Sequence, residues 1–337
     1  MKIAVDAMGG DHAPAEIIQG AVNAVAQNPA IEVILVGSEE AFANYLPNPG
    51  ERITTVISQT VMAMDEPVDN LRKKKDSSIF MATELVADGT ADALVSCGST
   101  GAQMAAALLL LGRIKGVKRP AIVIPLPTLK GTKLMLDGGA NADATAANMM
   151  DFALLGNAYA RFTTGKTHPE VVLLANGTEA HKGNALVKET YALMSDCDFL
   201  NFRGNIEGRD ILKGEYDVLV TDGFTGNVAM KATEGAAQAL FSLIKQELTA
   251  SATRKIGAAL VKPGLKSIAK RFDYSTVGGV PLLGVKGISL VCHGSSKAQA
   301  VASAVAAAAE YVTEDFIGAL AADMKAYRES EKNKEEA

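Results

Sequence analysis

The chain has 337 residues, of which 48% are hydrophobic and 5% aromatic, and its formal net charge is −5 at pH 7. This length and apolar content suffice for one large globular domain or two subdomains. The acidic balance gives no electrostatic basis for general nucleic-acid binding, which needs clustered lysine and arginine. The longest apolar run, residues 104–111, is far shorter than the roughly 20 residues that span a bilayer.

The cysteines and the beginning of the sequence bear on the compartment. Cys97, Cys197 and Cys292 are far apart and odd in number, which is typical of unpaired thiols in a reducing environment. The first residues lack the basic start and apolar core of a signal peptide. We therefore expect a cytoplasmic protein, and no spacing of cysteine or histidine predicts a metal site.

Short runs rich in valine, isoleucine and leucine alternate with longer alanine-rich segments of helical period. This alternation predicts an α/β protein with a three-layer, doubly wound, mostly parallel sheet. The predicted strands cover residues 3–6, 32–36, 93–96, 171–175, 218–221 and 289–292. The predicted helices cover residues 14–27, 79–87, 100–111, 144–162, 225–250 and 296–328.

One segment departs from the parallel pattern. Residues 121–125 and 133–137 flank a turn that contains Lys130 and Gly131, which predicts an antiparallel hairpin and hence a mixed sheet. No flexible linker separates two domains, so residues 1–328 are expected to form a single catalytic unit with two intertwined subdomains. The charged end, residues 329–337, is expected to be disordered.

The main functional signal is that strand after strand ends in a small polar or acidic residue followed by glycine. The carboxyl ends of parallel strands share one edge of a sheet, where ligands bind. Glycine lets backbone approach a ligand and helix N-termini offer free amides, so such loops suit phosphate. For any one loop the alternative is ordinary turn and cap chemistry. The six loops begin at Asp6, Ser96, Asp137, Asn176, Asp222 and His293.

Two familiar nucleotide motifs are absent. The segment 160–167 ends in Gly165, Lys166 and Thr167 like a P-loop, but it lacks the first glycine and follows a helix. No strand-to-helix turn has the full Gly-x-Gly-x-x-Gly fingerprint, so an oxidoreductase that uses nicotinamide loses its usual support.

The loop 176–184 is dense in polar groups. Lys182 could neutralise phosphate or a developing negative charge, although a solvated helix start is an equally good interpretation. We interpret His181 and His293 as structural, since nothing in the sequence brings them together. Cys97 lies in a glycine-rich loop but has no base spaced to activate it, which favours a packing role.

A basic, apolar segment at 254–272 is interrupted by Pro263 and Gly264. It predicts the tip of a helical hairpin at about 225–274 that could touch anionic lipid or an acidic carrier protein. The alternative is a helix pair that packs in a dimer. The candidate membrane-facing residues are Ile256, Leu260, Val261, Leu265 and Ile268.

The loop set resembles the PlsX family of bacterial phosphate acyltransferases over almost the whole chain. The resemblance rests on the motifs at 6–11 with Ala13 and Pro14, at 136–141, at 222–227, and at 278–284 followed by 293–296. One difference is Ser99, where the family commonly has asparagine.

The resemblance implies a fold similar to isocitrate and isopropylmalate dehydrogenases and to phosphotransacetylase, with no nicotinamide or other cofactor. It implies a homodimer, peripheral association with an anionic membrane, and work in phospholipid synthesis beside the downstream glycerol-3-phosphate acyltransferase. The family's catalytic lysine and asparagine fall on Lys182 and Asn227.

The expected reaction is transfer of a long-chain acyl group from acyl carrier protein to inorganic phosphate, giving acyl phosphate. The alternatives are a phosphotransacetylase-like enzyme that uses acyl-coenzyme A and a membrane-recruited scaffold for lipid synthesis. The expected substrate-binding residues are Asp6, Gly9, Gly10, Asp11, Ser99, Thr100, Gly101, Asp137, Asn141, Asn176, Gly177, Glu179, Asn184, Asp222, Thr225, Gly226, His293, Gly294, Ser295 and Ser296.

Overall fold

The computed structural model describes residues 1–271 and 278–336. A first sheet contains β1 (Lys2–Asp6), β2 (Glu32–Gly37), β3 (Ile53–Ile57), β4 (Ala93–Ser96), β5 (Ala121–Ile122), β11 (Val280–Leu283) and β12 (Ile288–Val291). Its strand order is β3-β2-β1-β4-β12-β11-β5, and only β11 runs against the others.

A second sheet contains β6 (Ile124–Thr128), β7 (Gly131–Leu136), β8 (Glu170–Ala175), β9 (Asn201–Glu207) and β10 (Val218–Val220). Its order is β6-β7-β10-β8-β9, with β6 antiparallel to β7. The predicted hairpin is therefore confirmed, although its first strand is shifted to 124–128 because residues 121–122 belong to the first sheet.

The described part of the chain contains ten helices. They are α1 (Ala15–Gln27), α2 (Glu39–Tyr45), α3 (Ser78–Ala87), α4 (Thr100–Leu110), α5 (Ala146–Thr164), α6 (Ala185–Ser195), α7 (Gly223–Thr249), α8 (Ala252–Arg271), α9 (Ala298–Thr313) and α10 (Phe316–Glu336). Short 3₁₀ helices occupy Val68–Arg72 and Gly208–Lys213.

Residues 3–5 of β1 and 93–95 of β4 are apolar and buried because helices cover both faces of the first sheet. Ile3 and Val5 belong to the core that includes α1 and α9, whereas Ala4 and Leu94 belong to the core under α3 and α4. The α/β, mostly parallel fold class is confirmed. The chain crosses between the sheets at the buried residue Val123, so the strands are divided between two sheets.

The prediction of one long helix over 296–328 is wrong. The helix ends at Thr313, and Asp315 has a positive φ of 48° before α10 begins at Phe316. Phe316 is buried against Tyr159, Phe162 and Tyr311, so the turn inserts an aromatic side chain into the core. Beyond it, α10 continues to Glu336 through the tail for which disorder was expected.

Helices α7 and α8 pack against each other as an arm, and most of their side chains are exposed. The predicted interruption at Pro263 is wrong, because α8 runs through it and the arm turns at residues 250–251. Pro263 lacks an N–H for the Ala259 carbonyl, but that carbonyl lies on an exposed segment where water can replace the bond. Residues 272–274 of the predicted hairpin lie outside the described residues.

A buried ion pair fastens α10 to the central helix α5. The side chain of Asp151 is fully buried, accepts a hydrogen bond from the Lys118 N–H at 2.7 Å, and pairs with the Arg328 guanidinium. Burial raises the pKa of Asp151, and the Lys118 amide and Arg328 offset part of that effect. The contact joins residues 177 positions apart in the chain.

Replacing Arg328 with methionine should lower the free energy of unfolding by about 1 to 3 kcal/mol near neutral pH, since a buried carboxylate loses its cation. The loss should shrink as the pH falls, because Asp151 then protonates and no longer needs a cation. Urea unfolding at about pH 7 and about pH 5 measures both effects. An equal loss at the two pH values would contradict this account, and Lys286→Met, at an exposed lysine, is the control.

Candidate functional site

A cavity of about 440 Å³ lies where loops of the first sheet meet β5, β6 and helix α7. Five of the predicted site residues line it. They are Asp11, Thr100, Asn227, His293 and Gly294. The loops after β1, β4 and β12 all leave the carboxyl edge of the first sheet, which explains why the four of these residues other than Asn227 meet.

Asp6 lies beneath the loops and organises them. It is buried, accepts a hydrogen bond from the Ser96 hydroxyl at 2.8 Å, and accepts another from the Met8 N–H at 3.2 Å. The Ser96 hydroxyl in turn accepts a hydrogen bond from the Gly98 N–H at 3.0 Å. Burial raises the pKa of Asp6 despite these bonds. Asp6 therefore positions these loops, and its expected contact with substrate stays a prediction.

The glycines beside Asp6 allow two loops to touch. A side-chain carbon at Gly9 would lie 2.5 Å from the Asp6 carboxylate and 2.7 Å from the Gly98 nitrogen. Gly10 packs against Cys97 and Gly294, and the Asp11 N–H donates to the Gly294 carbonyl at 2.8 Å. The backbone of one loop thus supports the backbone of the other at the cavity wall.

Asp137 holds the opposite wall. Its carboxylate is fully buried and accepts five hydrogen bonds, from the N–H groups of Ile122, Gly139, Ala140 and Asn141 and from the Asn141 amide. The Asn141 carbonyl then accepts from the Gly223 N–H at 2.9 Å, at the first turn of α7. Asp137 and Asn141 consequently position α7, and their expected contacts with substrate stay a prediction.

The start of α7 brings Asn227 to the cavity. Asp222 caps the helix by accepting from the Thr225 N–H at 2.8 Å and from the Thr225 hydroxyl at 2.7 Å, which is ordinary cap chemistry. Gly226 faces the Asp137 carbonyl so closely that a side-chain carbon there would overlap it. Asn227 follows at once and lies beside Gly139.

The loop after β12 supplies an imidazole. The Ser295 N–H donates to Nδ1 of His293 at 3.2 Å, and the Ser295 hydroxyl lies 2.7 Å from the same nitrogen. These contacts fix the orientation of the imidazole ring within its own loop. Ser296 is buried, and its N–H donates to the His293 carbonyl at 2.9 Å. His293 is thus a cavity residue held by its own loop.

Residues 176–184 follow β8 at the carboxyl edge of the second sheet, but Lys182 does not line the cavity. The loop is held by its own contacts: Asn176 accepts from the Gly183 N–H at 2.8 Å, and Asn184 caps α6. Lys182 lies beside Gly177, and its N–H donates to the Glu179 carbonyl at 3.0 Å. The structure thus brings Asn227 into the cavity with the first-sheet loops and leaves the Lys182 loop outside it.

The loop after β4 contributes Gly98 and Thr100 to the cavity. Ser99 caps α4 by accepting from the Ala102 N–H at 3.5 Å, and Gly101 packs against Val68 of the 3₁₀ helix. Cys97 and Cys292 are buried neighbours beneath these loops, and their mutual contact together with burial raises the pKa of Cys292 well above the ordinary value. Cys97 itself is only 1% exposed, which agrees with the packing role expected for it.

Residues that the sequence did not single out make up much of the wall. They are Met64, Ile122, Ile124, Pro125, Met230, Lys231, Glu234, Val280 and Val291. Met64 precedes the 3₁₀ helix and reaches Gly294 from a segment with no glycine motif. For Met230 and Lys231, the one sequence signal for a place in the cavity was their spacing from Asn227, since residues three or four positions apart share a face of a helix.

The tight contact at Gly226 makes a testable prediction. Gly226→Ala should push α7 away from the Asp137 loop, displace Asn227, and lower the free energy of unfolding by about 1 to 3 kcal/mol. Gly235→Ala is the matched control, because Gly235 lies in the same helix with nothing near it and alanine there should stabilise by about 0.5 to 1 kcal/mol. Thermal unfolding of both variants measures the difference. Equal stability would show that the two helix positions are equivalent and contradict the prediction.

The fold has relatives among solved structures. A phosphotransacetylase from Streptococcus pyogenes aligns with a TM-score of 0.59 at 18% identity, over 93% of this chain and 94% of that one. A branched-chain phosphotransacylase from Enterococcus faecalis aligns with a TM-score of 0.57 at 14% identity, over 93% and 99%. At these identities the likeness concerns the fold alone, and it confirms the predicted similarity to phosphotransacetylase.

Sequence relatives are much closer. A phosphate acyltransferase from Desulfitobacterium hafniense is 55% identical over 322 residues, covering 94% of this chain and 96% of the relative. Another from Heliobacterium modesticaldum is 50% identical over 325 residues, covering 95% and 96%. Residues 1–319 match the family described as "Fatty acid synthesis protein". The chain therefore belongs to this family and, with these relatives, to the phosphate acyltransferases.

Proposed function

We propose that this acyltransferase moves a fatty acyl group from acyl carrier protein to inorganic phosphate, giving acyl phosphate. The observation that carries the proposal is one cavity with two kinds of wall. Thr100 and Gly294 offer hydroxyl and backbone groups to it. Ile122, Ile124, Met230, Val280 and Val291 form an apolar wall that suits an acyl chain.

The reaction needs no group on the enzyme to become acylated. A phosphate oxygen attacks the thioester carbonyl carbon, the new C–O bond forms, the C–S bond breaks, and the sulfur leaves as a thiolate that takes up a proton. Holding the two substrates together lowers the entropic barrier, and hydrogen-bond donors stabilise the oxyanion as it develops. Asn227 lines the cavity, and in this proposal its side-chain amide donates a hydrogen bond to that oxyanion or to phosphate.

Lys182 keeps a catalytic role in this proposal only through the family resemblance. Its loop lies on the carboxyl edge of the second sheet, two strands from the Asp137 loop in the order β7-β10-β8. A role in binding the carrier-linked part of the donor would fit that place outside the cavity. Variants of Lys182 and Asn227 should therefore differ in which kinetic constant they change.

Acyl transfer is tested by incubating the enzyme with acyl-acyl carrier protein, following phosphate-dependent release of carrier thiol, and trapping acyl phosphate with hydroxylamine. Asn227→Ala should lower kcat about a hundredfold, as loss of a preorganised donor does. Lys182→Ala should act mainly on KM for the acyl donor.

Lys188→Ala is the matched control for Lys182, because Lys188 is exposed on the helix that follows. If the folded protein released no carrier thiol in the presence of phosphate, the proposal would be overturned. Faster transfer from acyl-coenzyme A than from the carrier protein would favour the phosphotransacetylase-like alternative.

The donor and product suggest that the enzyme works beside a membrane, and we propose that the α7–α8 arm makes this contact. Ile256 is 68% exposed and Leu260 is 81% exposed, with Val261 and Ile268 exposed and Leu265 half-buried. Exposed Arg254, Lys255, Lys262 and Lys266 add positive charge in the same helix. Among the described residues, no helix is both long and apolar enough to cross a bilayer. A basic, apolar arm suits the surface of an anionic membrane.

Leu260→Glu should weaken binding to phosphatidylglycerol vesicles about tenfold or more at low salt. The change removes a leucine that would be buried in the membrane on binding, and it adds a carboxylate that the anionic lipid repels. Leu193→Glu, at an exposed leucine of α6, is the control and should bind like the parent. Co-sedimentation measures the bound fraction. Light scattering tests the proposed homodimer in parallel, and a loss of the dimer without a loss of vesicle binding would assign Leu260 to a subunit interface instead.

A further inference from the structure

Lys231 is the one lysine or arginine among the described residues that line the cavity. It lies in α7 four positions after Asn227, so the two side chains share a face of the helix. The cavity also holds two carboxylates, Asp11 and Glu234, and the imidazole of His293. Without Lys231, the cavity would be lined by carboxylates and by no ammonium or guanidinium group.

The Lys231 ammonium has no partner within residues 1–271 and 278–336. The carboxylates that pair with lysine or arginine in this part of the chain lie elsewhere, and Glu234 is not among them. Other lysines near loops are engaged: Lys74 pairs with Glu66 at 2.7 Å, and Lys133 pairs with Asp217 at 3.1 Å. An unpaired cation that lines a cavity is free to meet an anionic ligand.

The groups around Lys231 also suit an oxyanion. Thr100 opens helix α4, whose first N–H groups have no partners inside the helix. Gly98 and Gly294 present backbone to the same cavity. Phosphate is dianionic for part of its population at neutral pH, and two carboxylates would repel it. A cation is needed to reverse that repulsion, and Lys231 is placed to supply it.

We propose that Lys231 binds inorganic phosphate in this cavity and holds it for attack on the acyl donor. This assignment rests on the proposed function. It gives the phosphate a cation within the cavity, whereas Lys182 lies outside it. Asn227, one turn earlier on the same helix, then faces the reacting carbonyl or the same phosphate.

The test compares Lys231→Met, Lys231→Arg and the control Lys286→Met. Lys286 is exposed between β11 and β12, at the end of β12 opposite His293. Binding of inorganic phosphate alone is measured by calorimetry. Lys231→Met should weaken it about tenfold to a hundredfold, as loss of a charge-assisted hydrogen bond does. Lys231→Arg should restore most of the affinity, and Lys286→Met should leave it unchanged.

Kinetics separate this role from a structural one. In Lys231→Met, KM for phosphate should rise by the same factor as the affinity for phosphate falls, while KM for the acyl donor stays within about twofold of the parent value. Phosphate affinity within twofold of the parent, or an equal loss in Lys286→Met, would overturn the assignment. So would a parallel rise in both KM values with a lower melting temperature.

The measurement of phosphate binding keeps the two proposals distinct. A protein that binds phosphate through Lys231 but transfers no acyl group supports the assignment and refutes the proposed function. A protein that transfers acyl groups to phosphate with Lys231→Met unimpaired supports the function and refutes the assignment.

Discussion

The buried carboxylate of Asp137 is the contact on which the cavity depends. The carboxylate accepts five hydrogen bonds. The residue lies under the first turn of α7, where Gly226 contacts the backbone carbonyl oxygen of Asp137. A buried charge is tolerated only when such donors replace water. Because all its donors come from residues 122–141, the carboxylate fixes that loop as a rigid platform. The helix that carries Asn227 and Lys231 then has one place to lie.

Asp6 performs the matching task at the other wall. It ties the loop after β1 to the loop after β4 through Ser96, and close glycine contacts bring the two backbones together. Both aspartates end a strand and neither faces the cavity. These two strand-end carboxylates therefore shape the loops, whereas the carboxylates that line the cavity belong to Asp11 and Glu234.

Two walls of different chemistry meet because the chain crosses between its sheets at Val123. Residues 121–122 complete the first sheet and residues 124–128 begin the second, so Ile122 and Ile124 face the same cavity. Loops rich in amides come from the first sheet, and α7 comes from the second. The acyl phosphate that we propose as the product has an apolar chain and a charged head, and a cavity at such a junction suits both ends. The exposed arm is the continuation of the same α7, which would link a membrane surface to the cavity through one helix.

Local patterns in the sequence determined six of the parallel strands, the mixed hairpin and the glycine loops, because each depends on residues within a few positions of one another. The motif at 222–227 likewise identified Asn227. Only the tertiary structure decided that Lys231 joins it and Lys182 does not, because that outcome depends on how two sheets pack. The turn at Asp315 was also decided by the tertiary structure, because burial of Phe316 outweighs the helical propensity of the segment. The helix continues through Pro263 because water can replace the lost hydrogen bond on an exposed segment, so that the loss costs little free energy. Periodicity reports which face of an element is apolar, but the packing of distant elements decides which side chains meet.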